Sequence, residues 1–448
     1  MKRLFTQTVF FFLCLNSYCQ NFQSEKELDQ LFTSHFSSKT PGCSVLVSQN
    51  GKIIYEKAFG SANLELNVPA KPQTVFSLAS ITKQFTAISI LQLVSQRKIA
   101  LTDNVQKYIP DFPANNILIE NLLSHTSGLK DYLHVDTGQK YGERLDYTPS
   151  ELINIFKNIP LEYEPGTKYA YCNSDYILLG YIIEKVSGKT YSEYLSENIF
   201  IPLEMTDTYY DSDEKIINNR SSGYFKAGDQ YGKVEFWSAT IGYAAGGLLS
   251  TSIDLQKWQA GLLSYKILKK ELLDLAFTPF KLKDGTSTNY GFGWNITEIN
   301  GLKRIDHGGA KNGFLTYEAY FPDQQLYIVL LFNSENAPRD ELSIKVPEIL
   351  LRKSLQKETI LNDDVLKTYI GVYSLTSEPK RTITITKVKD GLSANISGQG
   401  SVPLIFQSET QFQLKNLLDI KCEFKITNGK VISIIVEQQG KFEWMKIK

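Results

Sequence analysis

Charge of one sign is the first thing this 448-residue chain lacks: 48 basic residues face 48 acidic ones, and the formal net charge is zero. A surface so balanced offers no basic footprint to nucleic acid or to an anionic membrane, so neither is expected as a partner. Long apolar runs are missing beyond the N-terminus. No later segment is apolar for long enough to span a bilayer, so no transmembrane anchor is expected. Cysteine is scarce. Of five, Cys14 and Cys19 fall in the N-terminal leader, leaving Cys43, Cys172 and Cys422, an odd number at wide spacing that outlines no disulfide framework. Histidine is scarcer. His35, His125, His134 and His307 have no metal-ligand spacing, so neither a metal nor any other cofactor is expected.

What is present is ordinary for a folded protein, with 42% hydrophobic and 12% aromatic residues. The length allows more than one domain and a large core. The first residues, MKRLFTQTVFFFLCLNSYCQ, set Lys2 and Arg3 before a short apolar run from Val9 to Leu15. That is the layout of a secretory signal peptide cleaved near Cys19 or Gln20, which predicts export to a periplasmic or extracellular location. A buried N-terminal helix is the alternative.

Residues 24–37 read as a helix. CSVLVSQNGKIIYEKAFG reads as a β-hairpin turning at Asn50-Gly51. Helices are expected from Ser80 to about Arg97 and from Ser174 to Val186, the second ended by Gly188. Strands return at about 290–298, 303–307 and 314–321. QLYIVLLFNS reads as a buried strand by its unbroken apolar run. A closing helix is expected over 337–356. Hairpin strands from the start must pair with strands from the end to bury their apolar faces, which predicts an α+β fold: an antiparallel sheet flanked by helices, with a mainly helical insert. After about residue 358 the chain becomes short strand-like pieces split by turns, predicting a separate C-terminal antiparallel barrel or sandwich over 358–448 with no catalytic cluster. The catalytic domain is then 21–357, and the signal 1–20.

Ser-x-x-Lys occurs six times, starting at Ser80, Ser95, Ser127, Ser212, Ser354 and Ser377. Context selects Ser80, which follows an extended segment and opens an almost wholly apolar helix. A spacing of three puts Lys83 on the same face, one turn on. Burial lowers a lysine pKa toward the neutral amine, and that amine can take the proton of a serine nucleophile. The bland alternative is a helix-capping serine beside a surface lysine. Tyr171-Cys172-Asn173, the chain's one Tyr-x-Asn, lies between a Pro-Gly turn and a helix. On extended backbone its phenol and amide face the same side; alternatively Asn173 caps the helix and Tyr171 packs. His307-Gly308-Gly309 closes a predicted strand, and the glycines would let a ligand's backbone lie against it. In isolation it could equally be a turn with a stray histidine.

These three pieces, in this order, resemble the serine β-lactamase and penicillin-binding-protein superfamily, and most of all its class C β-lactamase and D-alanyl-D-alanine carboxypeptidase branch (peptidase family S12). The stretches LLSHTSGL (122–129) and GYAAGGLLST (242–251) look similar too, and the resemblance covers about residues 40–350. It implies that Ser80 is the nucleophile, Lys83 its base, and Tyr171 the group that carries the proton to the leaving group and then helps activate water. It implies that Asn173 holds the substrate amide, that backbone N–H groups of Ser80 and Ala310 form an oxyanion hole, and that His307, Gly308 and Gly309 line the substrate. His307 stands where most β-lactamases carry lysine, and a neutral imidazole binds a carboxylate less well than an ammonium. Esters and neutral amides therefore become stronger candidates.

The resulting expectation is an exported serine hydrolase working through an acyl-enzyme on a small amide, peptide or ester, with cell-wall fragments among the candidate substrates. A carboxylesterase on the same fold is the first rival, and a non-catalytic ligand-binding or sensor protein the second. Together Ser80, Lys83 and Tyr171 argue against a pure binder. The sequence leaves the oligomeric state open.

Overall fold

The structure is a computed structural model that describes residues 24–448 apart from 115, 139–141, 300, 356–358, 390, 397–399, 415–416 and 438–440. The expected signal peptide lies outside the described residues. Among those described, no helix is long and apolar enough to cross a membrane. Cys43, Cys172 and Cys422 are free and buried.

The chain divides into two compact units, one of residues 1–297 and 303–343, the other of 298–302 and 344–448. The first is built on a six-stranded antiparallel sheet. Its strands are β1 (Cys43–Gln49), β2 (Lys52–Phe59), β3 (Asn295–Ile299), β4 (Leu302–Lys311), β5 (Phe314–Phe321) and β6 (Leu326–Phe332), in the order β3-β4-β5-β6-β1-β2. The first strand pairs with the last, Cys43 opposite Phe332 and Gln49 opposite Leu326, as the apolar runs demanded. The β1–β2 turn is Asn50-Gly51 with φ of 52° and 75°, the left-handed pair that a tight hairpin needs. β6 is buried along its whole length, which explains why its sequence does not alternate.

Between β2 and β3 lies the helical insert. Its central helix, α1 (Thr82–Ser95), is buried from Thr82 to Leu93, so its sequence shows no polar face. α2 (Asn173–Ser187) ends at Gly188, whose φ of 74° closes the helix. α3 (Ala239–Gly246) and α4 (Ser252–Leu263) complete the elements that matter for the site.

The second unit contains a closed eight-stranded barrel running in sequence order from Gly371–Leu375 to Lys441–Lys446, which pair with each other to close it. Closure leaves no unpaired strand edge. Its interior is aromatic: Tyr369 stacks on Phe424 with centroids 4.1 Å apart, and Phe412 on Phe424 at 4.6 Å.

Candidate active site

Ser80 sits in a single 3-10 turn, Ala79–Ile81, directly before α1. No side chain caps either helical start, so the capping role open to Ser80 on sequence is not the one it has. The turn is strained: Ala79 holds φ at 47°, a conformation that costs a residue with a Cβ on the order of 1–2 kcal/mol. Its surroundings enforce it. The Leu78 N–H donates to the Leu248 carbonyl at 2.8 Å, and Thr316 Oγ1 donates to the Leu78 carbonyl at 2.9 Å. β4 comes so close that a Cβ on Gly309 would lie 2.4 Å from Leu78 O and 2.2 Å from Thr316 Oγ1. Only glycine lets β4 lie beside the Ser80 turn.

Lys83 is fully buried. Its Nζ lies 3.2 Å from Ser80 Oγ and donates to Asn173 Oδ1 and to the Ala245 carbonyl, each at 2.8 Å. Among the described residues no carboxylate is bonded to it. Burial pulls its pKa down to about 7, against the opposing pull of Asp131, Cys172 and Asp175. Of the other five Ser-x-x-Lys pairs, that of Ser354 ends at Lys357, outside the described residues, and the remaining four do nothing comparable. Lys98, Lys215 and Lys380 are exposed, and Lys130 turns to Glu162 at 2.8 Å.

Tyr171 and Asn173 face the same amine, as alternation on an extended segment predicts. The Lys83 Nζ lies 4.9 Å from the centre of the Tyr171 ring, and 40% of Tyr171 is exposed. Burial around its hydroxyl raises the phenol pKa, and the interaction with Ser80 lowers it. Asn173 is oriented by Asp131, whose Oδ2 accepts from the Asn173 backbone N–H at 2.9 Å and from Nδ2 at 2.8 Å. That grip turns the amide oxygen toward Lys83.

His307, Gly308 and Gly309 do not close their strand; β4 continues to Lys311. The glycines misled the boundary because they serve a close approach and not a chain reversal. His307 is 3% exposed, with both ring nitrogens engaged. Nδ1 lies 2.7 Å from the Gly308 carbonyl, so it carries the proton, and Nε2 lies 3.1 Å from the Tyr290 hydroxyl, which donates to it. Burial, with Lys83 nearby, takes the His307 pKa down to about 3, so the imidazole is neutral.

Ser80 opens on a narrow cavity of about 50 Å³ lined by Ala79, Tyr132, Leu133, Asn173, Trp237, Ile241, Gly242, Ala245, Gly246, Ala310 and Lys311. The walls are mostly apolar. The one cation among them, Lys311, is bridged to Asp211 at 3.2 Å. Larger hollows of about 620 and 510 Å³ do not include Ser80. Sequence reasoning missed Asp131 and the Ala245 carbonyl. The second was signalled by GYAAGGLLST, singled out there without a role. Tyr243, at φ 34° and ψ −129°, breaks α3 just before the carbonyls of Ala244 and Ala245, which accept from Thr86 Oγ1 and Lys83 Nζ.

A family model described as Beta-lactamase matches residues 23–348. A penicillin-binding protein of Bacillus subtilis is 28% identical over 449 residues, covering 93% of this chain and 97% of that protein. A D-aminopeptidase of Brucella anthropi is 27% identical over 315 residues, which cover 70% of this chain and 60% of that protein's length. Among solved structures, an octameric penicillin-binding protein homologue from Pyrococcus abyssi superposes with a TM-score of 0.64 at 25% identity, covering 94% of this chain and 99% of that one. The D-amino acid amidase of Ochrobactrum anthropi SV3, complexed with L-phenylalanine amide, gives 0.65 at 24% identity over 75% of this chain and 99% of its own.

Proposed function

Because the chain belongs to the Beta-lactamase family, whose chemistry is acyl transfer to a serine, we propose that it is an exported serine hydrolase acting on amides or esters with an apolar acyl side chain and an uncharged leaving group. The observation that carries this reading is the coordination of Lys83. A neutral amine has two N–H groups and one lone pair. Two carbonyl oxygens at 2.8 Å take the N–H groups, leaving the lone pair to face Ser80 Oγ at 3.2 Å. An ammonium could fill the same three positions with N–H groups; burial, which favours the neutral amine, makes this the posture of a base.

Ser80 Oγ attacks the substrate carbonyl as its proton moves to Lys83 Nζ. The oxyanion is met by the backbone N–H groups of Ser80 and Ala310, a contribution worth about 3 kcal/mol per donor. Tyr171 relays the proton to the departing nitrogen or oxygen, and the C–N or C–O bond breaks to give the acyl-enzyme. Water, activated by the same phenol and amine, then releases the acid. The apolar walls from Tyr132, Leu133, Trp237 and Ile241 suit an aromatic or aliphatic acyl side chain. Buried neutral His307 offers no charge to a terminal carboxylate, and Lys311, the one cation among the lining residues, is held at 3.2 Å by Asp211, which also pairs with Arg220 at 2.8 Å. Two similar proteins act, by their names, on D-amino acid compounds, so D-phenylalanine amide is the first substrate to try.

The test is a panel of D- and L-phenylalanine amides, short-chain nitrophenyl esters, a D-Ala-D-Ala peptide and a chromogenic β-lactam. The amides and esters, which carry no carboxylate, should exceed the two carboxylate-bearing substrates in kcat/KM by about tenfold or more, the size of one lost charged contact. A preference for the carboxylate-bearing pair would contradict the leaving-group assignment.

A further inference from the structure

His125, in the turn after the short helix Ile119–Leu123, holds both flanks of Tyr171. Its carbonyl accepts from the Ala170 N–H at 3.0 Å, and its Nδ1 accepts from the Cys172 N–H at 3.3 Å. The imidazole packs against the phenol with centroids 4.4 Å apart, and Tyr176 and Tyr290 enclose it at 5.0 and 4.9 Å. His125 is completely buried, at a φ of 56° that this double hold stabilises.

Asp175, in the first turn of α2 and equally buried, brings Oδ2 to 3.0 Å from the same Nδ1, while Oδ1 accepts from Ser127 Oγ at 2.5 Å. An Nδ1 that receives a backbone N–H presents its lone pair, which places the ring proton on Nε2, a buried nitrogen with no hydrogen-bond acceptor among the described residues. A carboxylate oxygen 3.0 Å from that lone pair would face it with lone pairs of its own; a carboxylic acid would donate to it.

We propose that Asp175 is a protonated acid donating to His125 Nδ1, and that this uncharged pair positions Tyr171 for proton relay without adding a negative charge beneath Lys83. This rests on the hydrolase reading above. Burial acts on both groups in the required directions, raising Asp175 and lowering His125. The charged or titratable groups around the pair are Lys83, Asp131, Cys172, Tyr163, Tyr169, Tyr171, Tyr176, Tyr290 and His307. Asp131 and, when ionised, Asp175 are the carboxylates close enough to pull on Lys83. An ionised Asp175 would add to the pull of Asp131, holding Lys83 protonated to higher pH. His125 and Asp175 are positioning residues, acting through Tyr171 and Lys83.

The test begins with fluorophosphonate labelling of the unmodified enzyme against pH; failure to label Ser80 would sink the hydrolase reading itself. Given labelling, Asp175→Asn replaces O–H by N–H. Its rate should fall by about three- to tenfold for the weaker donor, while the acid limb stays within about 0.3 pH unit. A downward move of about one unit would show that a charge had been removed and overturn the proposal. Nitrogen-15 spectra of the imidazoles should show His125 with Nε2 protonated and Nδ1 bare from pH 5 to 8, flanking the ordinary histidine pKa of about 6.5. An imidazolium signal would overturn it. His125→Phe, which keeps a ring but loses the acceptor, should lower kcat by about ten- to a hundredfold at constant KM, and by less than about threefold when Tyr171 is already phenylalanine. A full additional loss in that background would show that His125 does not act through Tyr171. If the phenylalanine variant does not fold, the Asp175→Asn profile and the nitrogen spectra decide the question.

Discussion

Replacing Lys83 by methionine separates what the amine does for catalysis from what it costs the fold. A pKa drawn from its ordinary 10.5 down to about 7 corresponds, at 1.36 kcal/mol per unit, to roughly 5 kcal/mol of preference for the uncharged amine. Because the folded value lies below the unfolded one, the unfolded chain binds the extra proton between about pH 7 and pH 10.4, and stability rises with pH across that window. Below pH 7 the amine is protonated in both states and the whole penalty stands. Methionine removes it but leaves Asn173 Oδ1 and the Ala245 carbonyl without a donor, at about 1–3 kcal/mol each. Lys83→Met should therefore lie between about 1 kcal/mol below and about 3 kcal/mol above the natural enzyme in urea unfolding at pH 6, and lose several kcal/mol of that relative standing by pH 10. Groups common to both proteins cancel in the difference. Catalysis moves oppositely: acylation of the natural enzyme should fall about tenfold per pH unit below 7, and Lys83→Met should lose it by at least about a thousandfold. A stability difference independent of pH, or an acylation rate flat from pH 8 to 5, would refute the neutral base.

Tyr171→Phe removes one oxygen and little packing, so both acylation and deacylation should slow by about a hundredfold or more in pre-steady-state kinetics; rates within a few-fold of natural would leave Lys83 to act alone. Gly309→Ala should cost about 2–3 kcal/mol of stability in denaturant unfolding together with most of the labelling, because its methyl must push β4 off the Ser80 turn. Substrate affinity should show no transition near pH 6.5, since burial keeps His307 neutral down to about 3; a His307-dependent step in KM there would contradict its burial. A chain truncated after residue 357 should still label at Ser80, because every site residue precedes that point; loss of labelling in a folded truncation would show that the barrel completes the site.

The parts of this architecture that were legible from sequence are those where local chemistry and global fold agree. The Asn50-Gly51 turn, the unbroken apolar run of β6 and the glycine after α2 each act within a few residues of themselves. Ser80 stood out from five other Ser-x-x-Lys pairs because its lysine opens an almost wholly apolar helix that can bury it. What escaped notice lies across the chain. Asp131 reaches Asn173 over 42 residues, and Ala245 reaches Lys83 over 162, through a carbonyl whose residue type carries no signal. His307 marks the same limit: the sequence showed a histidine in a lysine's place, but the Tyr290 hydroxyl that occupies its Nε2 comes from outside that motif.

The central claim, that Lys83 makes Ser80 a nucleophile, is tested most directly by mass spectrometry of the protein after reaction with a fluorophosphonate. One adduct, on the peptide carrying Ser80, absent from Ser80→Ala and forming along a pH curve with its midpoint near 7, is the expected result. An adduct on Ser95, Ser127, Ser212 or Ser377, or a folded protein that takes none at any pH, would contradict it.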